Sequence, residues 1–338
     1  MLMREGKEGQ DSKKEGKVKI LGLTCGRKMG NGEILVKEAL MGAEELGADA
    51  EIMRLMDLKV KPCTGCVTCT KDMFLGGPGK CVIRGDDMPF LDEKLMQSDG
   101  VILAAPVYSL SPPGYFKLIA DRIGPSHDVS FKTQAKKEGN RGIDDLRCFK
   151  PRVGALIAVG GSQWSWNTLG LPLMNAFTWP LQIRIVDQLQ VFDVSRSGHV
   201  VMNQESIQRA RKLGRNVAGA VGKAEGEVNF MGEDPGTCPV CHSNLLLVTR
   251  KNPVMCPICG IEGVLRVDGD EITVTFDEEE LKKSHLTMEG RKEHYFEVRD
   301  NVRAGLAFKD EIPKRLKKYR SYNPVKKNID GRRRHVED

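Results

Sequence analysis

Residues 17–47, KVKILGLTCGRKMGNGEILVKEALMGAEELG, decide the fold class. The run Lys17–Thr24 is short, apolar and closed by a loop rich in glycine, which predicts a buried strand. From Asn31 to Gly47 the apolar residues Ile34, Leu35, Ala39 and Leu46 recur at helical spacing, and a glycine closes the run. The same strand-then-helix pattern repeats downstream. DAEIMRL (Asp49–Leu55) and DGVILAAP (Asp99–Pro106) read as strands, and a helical pattern runs from Pro113 to Ile123. VGALIAVGG (Val153–Gly161) is a fourth strand, followed by a helix through about Trp166–Leu181. A fifth strand near Ile185–Phe192 precedes a helix from about Gln204 to Gly222. Residues 124–150 are polar and read as an irregular connection, longer than compact domains normally carry.

Alternation of strand and helix implies a parallel sheet covered on both faces and wound with right-handed crossovers. Five strands suit a doubly wound, flavodoxin-like sheet better than an eight-repeat barrel. After Gly226 the pattern changes to short strands around paired CxxC turns. The expected organisation is a disordered segment over 1–16, an α/β domain over 17–227, a small four-cysteine metal module over 228–276, and a helical, basic extension over 277–338.

With 338 residues, 40% apolar and 29% charged, the chain has the composition of a globular protein. No run approaches the ~20 apolar residues of a bilayer span, and the charged N-terminus lacks a secretory signal, so a cytoplasmic location is expected. The net charge of +6 is unevenly placed: residues 312–338 carry ten Lys/Arg against three Asp/Glu, +7, leaving −1 for the remainder. That balance argues against a nucleic-acid-binding core. GxSxG and HExxH are absent, which removes the serine-hydrolase and zincin chemistries.

In an open parallel sheet, ligands bind beyond the carboxyl ends of the strands. Three loops fall there. TCGRKMGNGE (Thr24–Glu33) brings glycines and a helix N-terminus together, an arrangement suited to an anion, with Arg27 and Asn31 as side-chain donors. Pro106, Val107 and Tyr108 leave the third strand as a stiff turn that can lay backbone and an aromatic ring against a planar ligand. GGSQWSWN (Gly160–Asn167) permits close approach to a ring edge. His127 lies near the same end and is a candidate substrate contact.

Together these loops resemble the NADPH-dependent FMN reductase group of flavodoxin-like proteins. The matching positions are Arg27, Gly30 and Asn31; Pro106, Val107, Tyr108, Lys117, Asp121 and Arg122; and Gly160 with Gly161. The resemblance implies FMN, its phosphate held by Thr24, Arg27, Gly30, Asn31 and Gly32. Pro106, Val107, Tyr108, Gly160, Gly161 and Ser162 would border the isoalloxazine. Cys25 stands where a serine is usual, and Gly32 where a hydroxyl residue is usual. The resemblance further implies a homodimer or homotetramer with FMN near a subunit interface.

Eight of the ten cysteines form two sets. Cys63, Cys66, Cys69 and Cys81 lie in one Gly-rich loop, the first three at intervals of three, a spacing that favours iron–sulfur over zinc. Zinc and redox-active thiols remain alternatives. This position resembles the iron-sulfur flavoproteins, whose compact motif binds a [4Fe–4S] cluster beside FMN, although the ending GKCVIRGDDM also resembles cluster-free relatives. Cys238, Cys241, Cys256 and Cys259, spaced CPVC-(14)-CPIC, resemble zinc ribbons and, more distantly, rubredoxins. Four thiolates satisfy either zinc or iron, with no open position. The expected function is an FMN-dependent oxidoreductase. Electrons would come from NAD(P)H or a ferredoxin-like carrier and pass through a [4Fe–4S] cluster and FMN to a small-molecule acceptor. The rivals are a cluster-free quinone or FMN reductase, and an electron-carrier or scaffold protein without turnover.

Overall fold

A strand covered on both faces has no polar side, and β1 (Lys19–Thr24) is buried in all but its first residue. The computed structural model, which describes residues 17–322, places it second in a five-stranded sheet. The order is β2 (Asp49–Arg54), β1, β3 (Gly100–Pro106), β4 (Arg152–Val159), β5 (Ile183–Val191), parallel throughout. Both central strands β3 and β4 are buried almost completely, whereas β2 and β5 at the edges keep polar residues toward solvent. This 2-1-3-4-5 order is flavodoxin-like, with its reversal between β1 and β3.

One face is covered by α1 (Asn31–Glu44) and α7 (Gln204–Ala220). Leu35, Val36, Ala39, Leu213 and Val217 from these helices share a core with Ile20, Ile102 and Ile157 of the sheet. Right-handed crossovers in this strand order set α3 (Met88–Gln97), α4 (Gly114–His127) and α6 (Gly170–Thr178) on the other face. A short α2 (Thr68–Phe74) lies within the first cysteine loop.

The expected irregular stretch over 124–150 is a correction. Helix α4 continues through a break at Gly124 to His127, and α5 (Val129–Lys137) follows at once, with the Asp128 carboxylate accepting from the Phe131 N–H at 2.9 Å. Val129, Phe131, Ala135, Ile143 and Cys148 are buried. Their apolar signal is diluted by intervening Lys, Gln and Glu, so the sequence reads as more polar than the packing makes it. The helix expected over 166–181 begins only at Gly170, because Trp164–Trp166 forms a separate 3-10 turn.

Beyond the sheet, β6 (Val254–Met255), β7 (Glu262–Asp268) and β8 (Glu271–Thr275) form a small antiparallel sheet. Then come α8 (Glu278–Lys282), α9 (Met288–Leu306) and α10 (Ile312–Ser321). The chain forms two compact units, one ending at Lys292 and one beginning at Glu293. The expected disorder over 1–16 lies outside the described residues, as does the chain beyond 322. Among the described residues no helix is long and apolar enough to cross a membrane.

Candidate functional site

At the reversal in strand order, the loop from Thr24 to Glu33 is fixed from below and from the side. Cys25 donates its backbone N–H to Ala104 O at 2.9 Å, tying the loop to β3, and its buried thiol is pushed up to about 12 by desolvation. That thiol is packing, not a nucleophile. Buried Glu33, which no motif in the sequence singles out, accepts from Met29 N at 2.8 Å and pairs with Lys37 at 2.7 Å. Asn31 is committed elsewhere: its amide donates to Val194 O at 2.7 Å and Arg196 O at 2.9 Å and accepts from Val200 N at 3.1 Å. The Asn31 side chain therefore staples this loop to the one after β5, and what it offers an anion is its backbone N–H.

Helix α1 is closed by Ile34 N donating to Gly30 O, so the N–H groups of Asn31, Gly32 and Glu33 have no intrahelical acceptor. Arg27 is exposed beside them. Thr24 is 1% exposed, and its Oγ1 has no hydrogen-bond partner among the described residues. A Cβ built on Gly32 would sit 3.7 Å from that oxygen, which places the hydroxyl against the first turn of α1. An orphaned hydroxyl beneath free helix amides fits a phosphate.

The other two loops converge on the same sheet end. Val107 N donates to Val159 O at 2.8 Å. Tyr108 and Ser111 exchange backbone bonds at 2.8 and 3.2 Å around Ser109 and Leu110, both at positive φ (48° and 74°). Non-glycine residues at left-handed φ are strained, and the turn they form leaves Tyr108 exposed. Across from it, Gly160 is required by contact, since a Cβ there would lie 1.9 Å from Asn167 Oδ1. Buried Asn167 donates to Ser162 O and Gln163 O, both at 2.8 Å, and so holds the Gly160–Ser162 edge. Trp164 and Trp166 are exposed at the rim and do not pack into the core. His127 is engaged by Asp92 at 3.1 Å and Ile123 O at 3.0 Å.

The first cysteine loop has a zipped stem. Lys59 N and Lys61 N donate to Asp87 and Asp86 at 2.7 and 3.1 Å, and the Tyr115 hydroxyl bonds Leu58 O. Buried Arg122 donates to Lys61 O at 2.8 Å, pairs with Asp86 and reaches the Cys81 thiol. Burial alone would raise the Asp86 pKa, but Arg122 and the Lys61 amide hold it below the usual carboxylate range. Lys117 pairs with Asp121 at the surface. Cys63 and Cys66 are exposed and Cys69 and Cys81 half-buried. Hydrogen bonds from Thr68 and Thr64 bring Cys66 down to about 7, while burial raises Cys69. The four thiols share one open loop, but among the described residues only the second cysteine set brings its sulfurs within 4.8 Å of one another.

The second set is a closed centre. Cys238, Cys241, Cys256 and Cys259 are at most 2% exposed, and their sulfurs all lie within 4.8 Å of one another. Cys238 and Cys259 sulfurs are 3.6 Å apart, and those of Cys241 and Cys256 3.5 Å. A tetrahedron with metal–sulfur bonds of about 2.3 Å has edges of about 3.8 Å, so the four fit one ion. Each CxxC turn closes alike: His242 N donates to Cys238 O at 2.9 Å and Gly260 N to Cys256 O at 2.8 Å, with both donors at positive φ. The hydrogen bonds among the sulfurs lower Cys256 and Cys238 and raise Cys241 and Cys259. A bound cation would hold all four as thiolates.

The chain matches the model of the family described as NADPH-dependent FMN reductase over residues 18–195. It is 33% identical over 298 residues to a flavone synthase of Aspergillus candidus, covering 85% of this chain and 90% of that protein. An iron-sulfur flavoprotein of Methanocaldococcus jannaschii is 31% identical over 147 residues, 43% of this chain and 64% of that protein. Among solved structures, a flavone reductase superposes with a TM-score of 0.75 at 27% identity, covering 91% of this chain and 99% of that one.

Proposed function

Since the chain belongs to the NADPH-dependent FMN reductase family and is a flavin-dependent oxidoreductase, we propose that it exchanges a hydride with a planar aromatic enone of the flavone type, drawing electrons from NAD(P)H or a ferredoxin-like carrier. The observation that carries the flavin site is the partnerless Thr24 hydroxyl buried under the α1 amides at the β1/β3 reversal. The acceptor class is supported by coverage. The two relatives named for flavones match 85% and 91% of this chain, more than the flavodoxin-like domain alone can supply.

Thr24, Arg27, Gly30, Asn31 and Gly32 would hold the phosphate. Pro106, Val107, Tyr108, Gly160, Gly161 and Ser162 would border the ring, which supplies two-electron chemistry when bound. The chain's contribution is orientation: Asn31 and Asn167 lock two of the loops, and the Ser109–Leu110 turn fixes the third. In the reductive direction the enone carbon–carbon bond gains a hydride and a proton as NAD(P)H is oxidised. FMN-loaded full-length chain incubated with NADPH and flavone should yield a product two mass units heavier. Oxidation of NADPH with the flavone unchanged would reject this acceptor class.

Cys63, Cys66, Cys69 and Cys81 would carry a [4Fe–4S] cluster able to pass single electrons, a reading favoured by their spacing on one loop and by the hydrogen bonds from Thr68 and Thr64 that lower the Cys66 pKa. Anaerobically purified protein should then contain about four iron and four sulfide per chain beyond the ribbon metal. Retained FMN without sulfide would establish the cluster-free reductase instead. A homodimer or homotetramer is the expected assembly, read by light scattering.

A further inference from the structure

We propose that the ribbon forms one wall of a substrate cavity that recognises the hydroxyl groups of a planar polyphenol. This rests on the oxidoreductase reading above and adds where its aromatic substrate lies. A cavity of about 570 Å³ lies between the Trp164 turn, the end of β5 and the first CxxC turn of the ribbon. Its size is that of pockets for drug-sized ligands. It adjoins the proposed flavin loops: a Cβ on Gly170 would lie 2.9 Å from Val107 Cγ2 and 3.4 Å from Gln190 Oε1, so Gln190 lines the cavity within one residue's width of Val107.

The chemistry of the lining is lopsided. Five amide side chains line it. Asn244 is satisfied at both ends, its oxygen accepting from Thr237 and its NH₂ donating to Asp234, but in the other four the NH₂ end is engaged by backbone carbonyls. Asn167 donates to Ser162 and Gln163, and Asn175 to Pro172 at 3.2 Å. Gln188 donates to Cys241 at 3.0 Å, and Gln190 to Ala158 at 3.4 Å. Carbonyl partners can only accept, so the orientation of each of these four amides is fixed with its oxygen left over. None of these four oxygens accepts a hydrogen bond from a described residue, and Asn175 Oδ1 is fully buried without a partner. The cation at the cavity, Arg209, is neutralised by Asp187 and by Glu233 at 2.9 Å. A pocket of free acceptors with no spare cation selects a neutral ligand that brings donors, and the Trp164, Leu171 and Leu245 walls call for a flat apolar body between them. A hydroxylated aromatic ketone meets both conditions. Unsubstituted flavone meets only the second.

The test is titration of FMN-loaded full-length protein with 5,7,4′-trihydroxyflavone and with unsubstituted flavone, by calorimetry and by tryptophan quenching. The trihydroxy compound should bind at least tenfold more tightly. Leu245→Trp, which fills the cavity from the ribbon side, should weaken it at least tenfold, and Asn175→Leu should erase most of the preference for hydroxyls. Ferricyanide reduction by NADPH, measured on the same samples, reports whether the flavin centre is assembled. With that activity present, equal binding of the two flavones, or wild-type binding in Leu245→Trp, overturns the cavity assignment and leaves the oxidoreductase reading standing. Absence of flavin and of ferricyanide reduction in the wild type would instead sink the reading on which this one rests.

Discussion

The Thr24 hydroxyl is the residue-scale feature with the clearest consequence. A buried polar atom without a partner destabilises the empty protein by about 1–3 kcal/mol, and a phosphate would satisfy it. Thr24→Val should therefore raise the melting temperature of flavin-free protein while weakening FMN binding roughly tenfold, as read by flavin fluorescence. A variant that loses apo stability would show the hydroxyl already satisfied. Arg122 and Asp86 make the opposite case, since both side chains are at most 2% exposed and each neutralises the other. Arg122→Met leaves a buried carboxylate unpaired and should cost about 3–5 kcal/mol in chemical denaturation. The sign with pH follows from the depressed Asp86 pKa. Its contribution is complete above the unfolded carboxylate value of about 4 and is lost as pH falls through the lower folded value. The acid side of the stability profile should thus flatten in Asp86→Asn, with no change on the alkaline side.

At the scale of elements, the ribbon's core is its cysteines plus Ile261, with few apolar neighbours, so a bound ion must supply much of its folding energy. Metal analysis should give one zinc or iron ion at this centre per chain. Prolonged chelation should expose four further thiols to a disulfide reagent without stripping flavin from the sheet, and Cys259→Ser should expose the remaining three unaided. Full thiol protection in the presence of chelator would mean that the ribbon folds without metal. These four ligands were legible in the sequence because CPVC and CPIC are local signals, each turn forming its own knuckle. The five strands were legible for a similar reason, since burial on both faces forces continuous apolar runs. Helix α5 was not: its core contacts come from Val129, Phe131 and Ala135 among lysines, and only tertiary packing tells that face from a solvated loop. Nor was the true role of the Asn31 side chain, whose partners lie more than 160 residues away in the loop after β5. Asn167 carried a weak signal, a lone amide closing a glycine-tryptophan loop.

Across the whole molecule, charge and burial are divided along the chain. The flavodoxin-like sheet and the ribbon hold the core, whereas α10 has no buried residue and carries Lys314, Arg315, Lys317, Lys318 and Arg320 within ten positions. Residues 312–338 contribute +7 and the rest of the chain −1. None of the proposed flavin, cluster or ribbon ligands lies in that segment, so removing it changes the electrostatics without touching the chemistry. A chain ending at Glu311 should fold, load FMN and keep the ribbon metal. At pH 7 it should pass through a cation exchanger that retains the full-length protein. Association of the full-length protein with any anionic surface should weaken steeply with salt, because solvated charges are screened within about 10 Å at 0.1 M. The shortened chain should show no such dependence. If truncation instead abolished flavin loading, the basic segment would be part of the redox centre, and the division between a neutral catalytic body and a charged appendage would be wrong.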